Sequence, residues 1–200
     1  MQTLLETINK LQSSCGQTVF IAIDGHGASG KSTFAKKLGK LLDAPIIETD
    51  DFAGIENPKN WYIPLIAKVF GPIAKGAKTL QIQPAIWWED EKLKPVKNIN
   101  VKPIMILEGV ASCRKEFEPY LAYKIFVDTK AEVCIARGVK RDQDFTGKDP
   151  LELRLIWENW RQEELDFYAV DDSKAKADLI LDGTHKDFIC KGDNYLPYSK

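Results

Sequence analysis

An α/β domain built on a five-stranded parallel sheet is what this 200-residue chain predicts, on three observations. Five short, almost uniformly apolar runs recur along it, and each ends in an acid. Stretches of helical periodicity separate them, and the first run leads directly into a glycine-rich turn and a helix. Strands that lack the apolar/polar alternation of a half-exposed sheet read as buried on both faces, so the helices between them become the crossovers of three layers.

The elements follow in order. Leu4, Leu5, Ile8 and Leu11 recur at helical spacing, which predicts a short amphipathic helix docked on the domain. "QTVFIAID" (17–24) is the first strand, and "KSTFAKKLGKLL" (31–42) is a helix with Phe34, Ala35, Leu38, Leu41 and Leu42 on its apolar face. The remaining strands are "APIIETD" (44–50), "KPIMILEG" (102–109), "YKIFVDT" (123–129) and "ADLILDG" (177–183). Helices are predicted over 59–74, 113–121, 131–140 and 151–168, while 76–100 reads equally as a β-hairpin or a loop insertion. No repeat or linker divides the chain, so residues 1–200 form a single domain.

Composition narrows the partners. A 44% hydrophobic, 28% charged chain fits one globular domain, and a net charge of −1 leaves no basic footprint for nucleic acid or an anionic membrane. No apolar run is long enough to span a bilayer, and the N-terminal stretch carries Glu6 and lacks the continuous hydrophobic region of a signal peptide. Cys15, Cys113, Cys134 and Cys190 are scattered without metal-ligand spacing, which suits reduced thiols in a cytoplasmic protein. The expected partner is a small molecule.

"IDGHGASGKST" (23–33) carries two overlapping signatures. Gly25-x-Gly27-x-x-Gly30 is the dinucleotide fingerprint; Gly25-x-x-x-x-Gly30-Lys31-Ser32 is the Walker A phosphate loop. A dinucleotide site has no use for Lys31-Ser32, whereas phosphoryl transfer needs a cation for the β/γ charge and a hydroxyl for the metal. The phosphate-loop reading therefore wins. It assigns Gly25, His26, Gly27, Ala28, Ser29, Gly30, Lys31, Ser32 and Thr33 to the triphosphate of ATP, and Ser32 to Mg2+.

Acids and arginines supply the rest. Asp50 closes the second strand near the γ-phosphate end of the loop, where a carboxylate takes the proton of an attacking hydroxyl or helps hold Mg2+; Glu108 ends the third strand at the same edge. Asp51 beside it is a helix cap or a substrate contact. Arg137 and Arg141 share a helix face leading into a polar loop, the pattern of a lid over approximately 137–149 that shields the transferring group. No arginine lies between 52 and 103, so this acceptor-binding region lacks the bidentate clamps that a phosphorylated acceptor demands, which tilts the acceptor towards a free alcohol. Trp61 and Trp88 in that region, with Tyr62, Phe70 and Trp87, offer faces for a planar base or sugar.

With these residues in view, the chain resembles the uridine kinase-like branch of the P-loop kinases. The resemblance runs over 19–183 and rests on "GHGASGKST", "TDDF", "LEGV", "IFVDT" followed by "ARGVKRD", "WENWRQEELDFY" and "ADLILDG". It implies a three-layer P-loop kinase fold with a five-stranded parallel sheet and a small lid, and ATP and Mg2+ as cofactors. It also implies that Asp50 is the general base and Mg2+ partner, that Glu108 is the acid near the metal, that Arg137 and Arg141 belong to the lid, and that Arg114 lies near the acceptor. Trp157, Trp160, Glu164 and Tyr168 fall on one helical spacing that packs or frames the acceptor side. The chain departs from uridine kinases proper in lacking their His-Pro-Asp segment and in reading Ile86-Trp87-Trp88 where closer relatives have Tyr-Asp-Trp. The phosphoryl-transfer machinery carries over; the nucleoside does so less securely.

Overall fold

The computed structural model describes residues 1–54, 59–87, 92–185 and 189–190. The chain runs α1 (Gln2–Cys15), β1 (Val19–Asp24), α2 (Lys31–Leu42), β2 (Ile46–Glu48), α3 (Tyr62–Leu65), a π-helical stretch (Ile66–Phe70) and α4 (Gly71–Ala74). It continues through β3 (Thr79–Ile82), β4 (Lys97–Asn100), β5 (Ile104–Glu108), β6 (Leu121–Asp128), α5 (Ala131–Thr146), α6 (Pro150–Asp171), β7 (Leu179–Asp182) and β8 (Ile189–Cys190).

The main sheet has the order β2-β5-β1-β6-β7-β8. The first five strands pair in parallel, as the sequence predicts; β8 adds a short antiparallel edge to β7. Alternate residues of each strand feed two cores. Val19, Ile21, Ile23, Ile104 and Ile106 pack with Leu4 and Ile8 of α1 and Phe34, Ala35 and Leu38 of α2. Phe20, Met105, Leu107 and Ile47 pack on the other face with Leu65, Val69, Phe70, Phe117, Leu80 and Ile82. Full burial of side chains such as Phe34, Ile21 and Ile106 contributes about 1.5–3 kcal/mol each, which is why the strands read as unbroken apolar runs.

Several local readings change. Within 76–100, of which 88–91 lie outside the described residues, β3 and β4 pair antiparallel as the hairpin reading expects, Leu80 opposite Ile99, and Leu80 and Ile82 turn inward while Thr79 and Gln81 face solvent. The helix expected over 113–121 is instead a 3-10 turn, Lys115–Tyr120, with Pro119 inside it, and β6 starts at once at Leu121. Proline removes a ladder donor, so six residues there do not build an α-helix. The helix over 62–74 is interrupted by the π stretch, and Pro72 sits in the first turn of α4, where its missing amide is tolerated. α5 extends as helix to Thr146, beyond the predicted end, and closes on Gly147 in the left-handed conformation. α6 begins with Asp149 accepting from the Leu151 and Glu152 amides and Pro150 in the first turn, a strong start signal. No helix among the described residues is long and apolar enough to cross a membrane.

Candidate active site

A parallel sheet delivers the carboxyl ends of its strands to one edge, and in a doubly wound fold that edge is where ligands sit. Here β1 is flanked by β5 and β6, so Asp24, Glu108 and Asp128 arrive together, with Asp50 just past the end of neighbouring β2. The loop from β1 to α2 then wraps tightly enough to need glycine. Gly25 has φ +135°, and a Cβ on it would fall 2.3 Å from the Val127 carbonyl oxygen. Gly109, after Glu108, has φ +143° and lies against the Thr49 side chain, which fixes the Glu108 and Asp50 backbones close to each other.

The cleft at this edge is lined by Ala28, Ser29, Gly30, Lys31, Ser32, Asp50, Glu108, Gly109, Val110 and Arg141, and its volume is about 70 Å³. The Walker lysine and serine, the two predicted strand-end acids and one predicted lid arginine thus share one polar space. Lys31 is buried and donates to the His26 carbonyl at 2.7 Å. Ser32 Oγ donates to Glu108 Oε1 at 3.2 Å.

Electrostatics follow from this crowding. Burial pushes the Glu108 carboxyl up to about 7 from an ordinary 4.5; Asp50 and Glu48 push the same way, while Lys31 opposes them. The Asp50 carboxyl also rises: its side chain is exposed at the mouth of the cleft, yet surrounding protein strips part of its hydration, against the pull of Lys31 and Arg141. A hydroxyl and two carboxylates make an all-oxygen donor set with little other protein coordination. This suits Mg2+, which keeps waters and substrate phosphates in its shell.

The other predicted residues separate. Arg137 does not line the cleft; its guanidinium donates to the Gly183 and Thr184 carbonyls at 2.9 Å each and so pins the loop after β7. Arg141, one turn on, stacks 5.3 Å from the centroid of the Trp157 ring and pairs with Asp142. Asp51 is buried away from the cleft and is held at 2.8 Å by Lys97, which also reaches Glu48. Trp61 is packed in the core, edge to face with Phe117. Arg114 lies over the Tyr62 ring at 4.0 Å, near Trp61 and Phe167, and pairs with Glu116. Trp88, with Glu89 and Asp90, lies outside the described residues. Trp87 comes close to the chemistry: its indole donates to the Asp50 carbonyl at 3.0 Å.

Two arrangements carry no signal in the sequence. Asp24 is fully buried and accepts from the Gly25, Ala111 and Cys113 amides and the Tyr168 hydroxyl, tying β1, the turn after β5 and α6 into one frame. α6 itself lies on the phosphate loop. Glu164 accepts from the Gly27 amide at 2.9 Å and stands 2.8 Å from His26 Nδ1, and the Trp157 ring closes over Gly27. Spacing had placed Trp157, Glu164 and Tyr168 on one face; it carried no signal of what that face would meet. Trp160 is the exception, turning to Trp87 at 6.1 Å.

Comparison with known proteins agrees with this architecture. A uridine kinase of Mannheimia succiniciproducens is 28% identical over 193 residues, covering 84% of this chain and 86% of that one. A uridine kinase of Cronobacter sakazakii is 25% identical over 193 residues, covering 82% and 87%. Among solved structures, a possible uridine kinase from Bacillus stearothermophilus superposes with a TM-score of 0.56 at 16% identity, covering 90% of this chain and 99% of that one, which is a likeness of fold. The model of the Phosphoribulokinase / Uridine kinase family matches residues 57–188. Sheet order, phosphate loop and family match converge: the chain belongs to the phosphoribulokinase/uridine kinase family of P-loop kinases.

Proposed function

We propose that this kinase transfers the γ-phosphoryl group of ATP, with Mg2+, to a hydroxyl of a small molecule, and that the acceptor is a nucleoside. The observation that carries the reading is that Lys31 and Ser32 of the phosphate loop share one cleft with Asp50, Glu108 and Arg141. Residues 25–33 would cradle the triphosphate, with Lys31 neutralising β/γ charge. Ser32, Asp50 and Glu108 would hold Mg2+, which when bound offsets charge on the transferring phosphoryl group. Asp50 takes the proton from the acceptor hydroxyl, and a carboxyl raised above its usual range is better matched to that task at neutral pH. Arg141 approaches from α5 and stabilises charge as the phosphoryl group moves; Arg137, held by the β7 loop, positions the lid over 137–149 instead.

The uridine kinase relatives favour a nucleoside acceptor. Trp87, fixed to the Asp50 carbonyl, supplies an aromatic group next to the proposed base. The missing His-Pro-Asp segment supports a second reading, a kinase of another small alcohol such as a sugar or a pantothenate-like compound. ADP release from Mg-ATP, measured against panels of nucleosides, sugars and pantothenate-like alcohols, tests both. Stimulation by uridine or cytidine supports the first, stimulation by the other panel alone supports the second, and tight Mg-ATP binding without any acceptor-dependent release points to an ATP sensor.

A further inference from the structure

α6 presents Trp157, Arg161, Glu164 and Tyr168 at spacings of four, three and four, one continuous stripe of the helix. Three of the four have identified partners at the sheet edge: Trp157 against Gly27, Glu164 on the Gly27 amide and beside His26, Tyr168 on Asp24. Arg161 lies between them. Its Nε and Nη1 are buried and have no hydrogen-bond partner, an expensive condition for a guanidinium. Its charge opposes the rise that burial imposes on the Cys134 thiol, as does that of Lys31. Cys134 contacts Thr129, whose hydroxyl bonds the Ser29 carbonyl. Arg161 therefore sits on the stripe of α6 that packs on the phosphate loop, with two buried donors unused.

Glu164 is the other half of the arrangement. Backbone amides of a phosphate loop are built to receive an anion, and here the Gly27 amide receives a carboxylate of the same chain.

We propose that Glu164 and Arg161 form an anion-exchange pair for the phosphoryl donor: the Glu164 carboxylate occupies the Gly27 amide until a donor phosphate replaces it, and Arg161 then binds that phosphate. The inference rests on the reading of residues 25–33 as the donor site. One side chain competes with the donor and its neighbour one turn away rewards it, so α6 distinguishes the bound from the free loop. A carboxylate and a phosphate cannot share the Gly27 amide, and displacement of Glu164 brings the incoming charge beside the unpartnered guanidinium.

Calorimetric titration of the intact chain with Mg-ATP and with tripolyphosphate tests the pair, with thermal unfolding as a check on folding. Glu164→Gln keeps the size and removes the charge; it tightens both ligands by about tenfold. Arg161→Gln weakens both by about tenfold or more, and Arg161→Lys restores part of the loss. Unchanged affinity in Glu164→Gln overturns the competition, and unchanged affinity in Arg161→Gln overturns the phosphate contact. If Arg161→Gln does not fold, Arg161→Lys decides by the same criterion, since a point charge replaces a fork only partly. A wild-type chain that binds neither ligand overturns the donor reading itself; a wild-type chain that binds both, indifferent to the substitutions, overturns this inference alone.

Discussion

The phosphate-loop edge and the aromatic region over 52–103 are built on opposite plans. At the loop edge the polar groups converge on one cleft, and their positions are set by strand ends and by a backbone that only glycine accommodates at Gly25 and Gly109. Around the aromatic region, three charged groups and one arginine among the described residues already have partners within the chain. Lys97 binds Asp51 and Glu48, and Arg114 is enclosed by Tyr62, Trp61, Phe117 and Phe167. Burial without a partner marks groups that await a ligand, whereas burial with a partner marks groups that hold the fold. Arg161, with two unpartnered nitrogens, belongs to the first class; Asp51 and Arg114 belong to the second.

The sharpest way to break this division is Lys31→Ala. Turnover should fall by about 10³-fold with the fold retained, as read by steady-state kinetics and circular dichroism, because a preorganised charge is lost from the cleft. Asp50→Asn comes next, with kcat reduced by about 10²–10³-fold; wild-type turnover in this variant would remove Asp50 from the base role.

Glu108 gives a pH test of the same edge. Its folded pKa of about 7 lies above the ordinary 4.5, so the folded chain holds an extra proton between those values and its stability falls as pH rises through that window. With chelator present, Glu108→Gln should match wild type in stability near pH 4 and exceed it by about 3 kcal/mol at pH 8, measured by urea unfolding. Equal stability of the two proteins at pH 8 would mean that Glu108 is not strained by burial.

On the aromatic side the effects should be structural. Arg114→Leu should cost about 2 kcal/mol in urea unfolding through the lost stacking and the Glu116 partner, while Mg-ATP affinity stays unchanged. Lys97→Met should cost about 1 kcal/mol, since Lys97 is itself 38% exposed although Asp51 is buried. A large rise in acceptor KM from either, at unchanged stability, would move that residue into the substrate site.

Much of the donor half was legible in the chain because it is local. Strand, glycine turn and helix are consecutive, and the spacing from Gly25 to Ser32 already encodes a loop that encloses an anion. Asp50 and Glu108 were found from a distance because any acid at the carboxyl end of a parallel strand reaches the same edge. The arginine pair was half legible: spacing put Arg137 and Arg141 on one face, but the loop after β7, 46 and 47 residues away in sequence, captures Arg137 and leaves Arg141 for the cleft.

By itself, then, the sequence determined the parallel sheet, the phosphate loop and the acids at its rim, since burial on both faces and glycine turn geometry act within a few residues. Only the tertiary structure decided that α6 lies on the loop, that Glu164 takes the Gly27 amide, and that Asp51 and Arg114 are absorbed by Lys97 and by aromatic rings. Periodicity says which side chains share a face of a helix. What that face meets depends on how helix and sheet dock, and docking is settled by contacts between residues more than a hundred positions apart, as from Gly27 to Glu164.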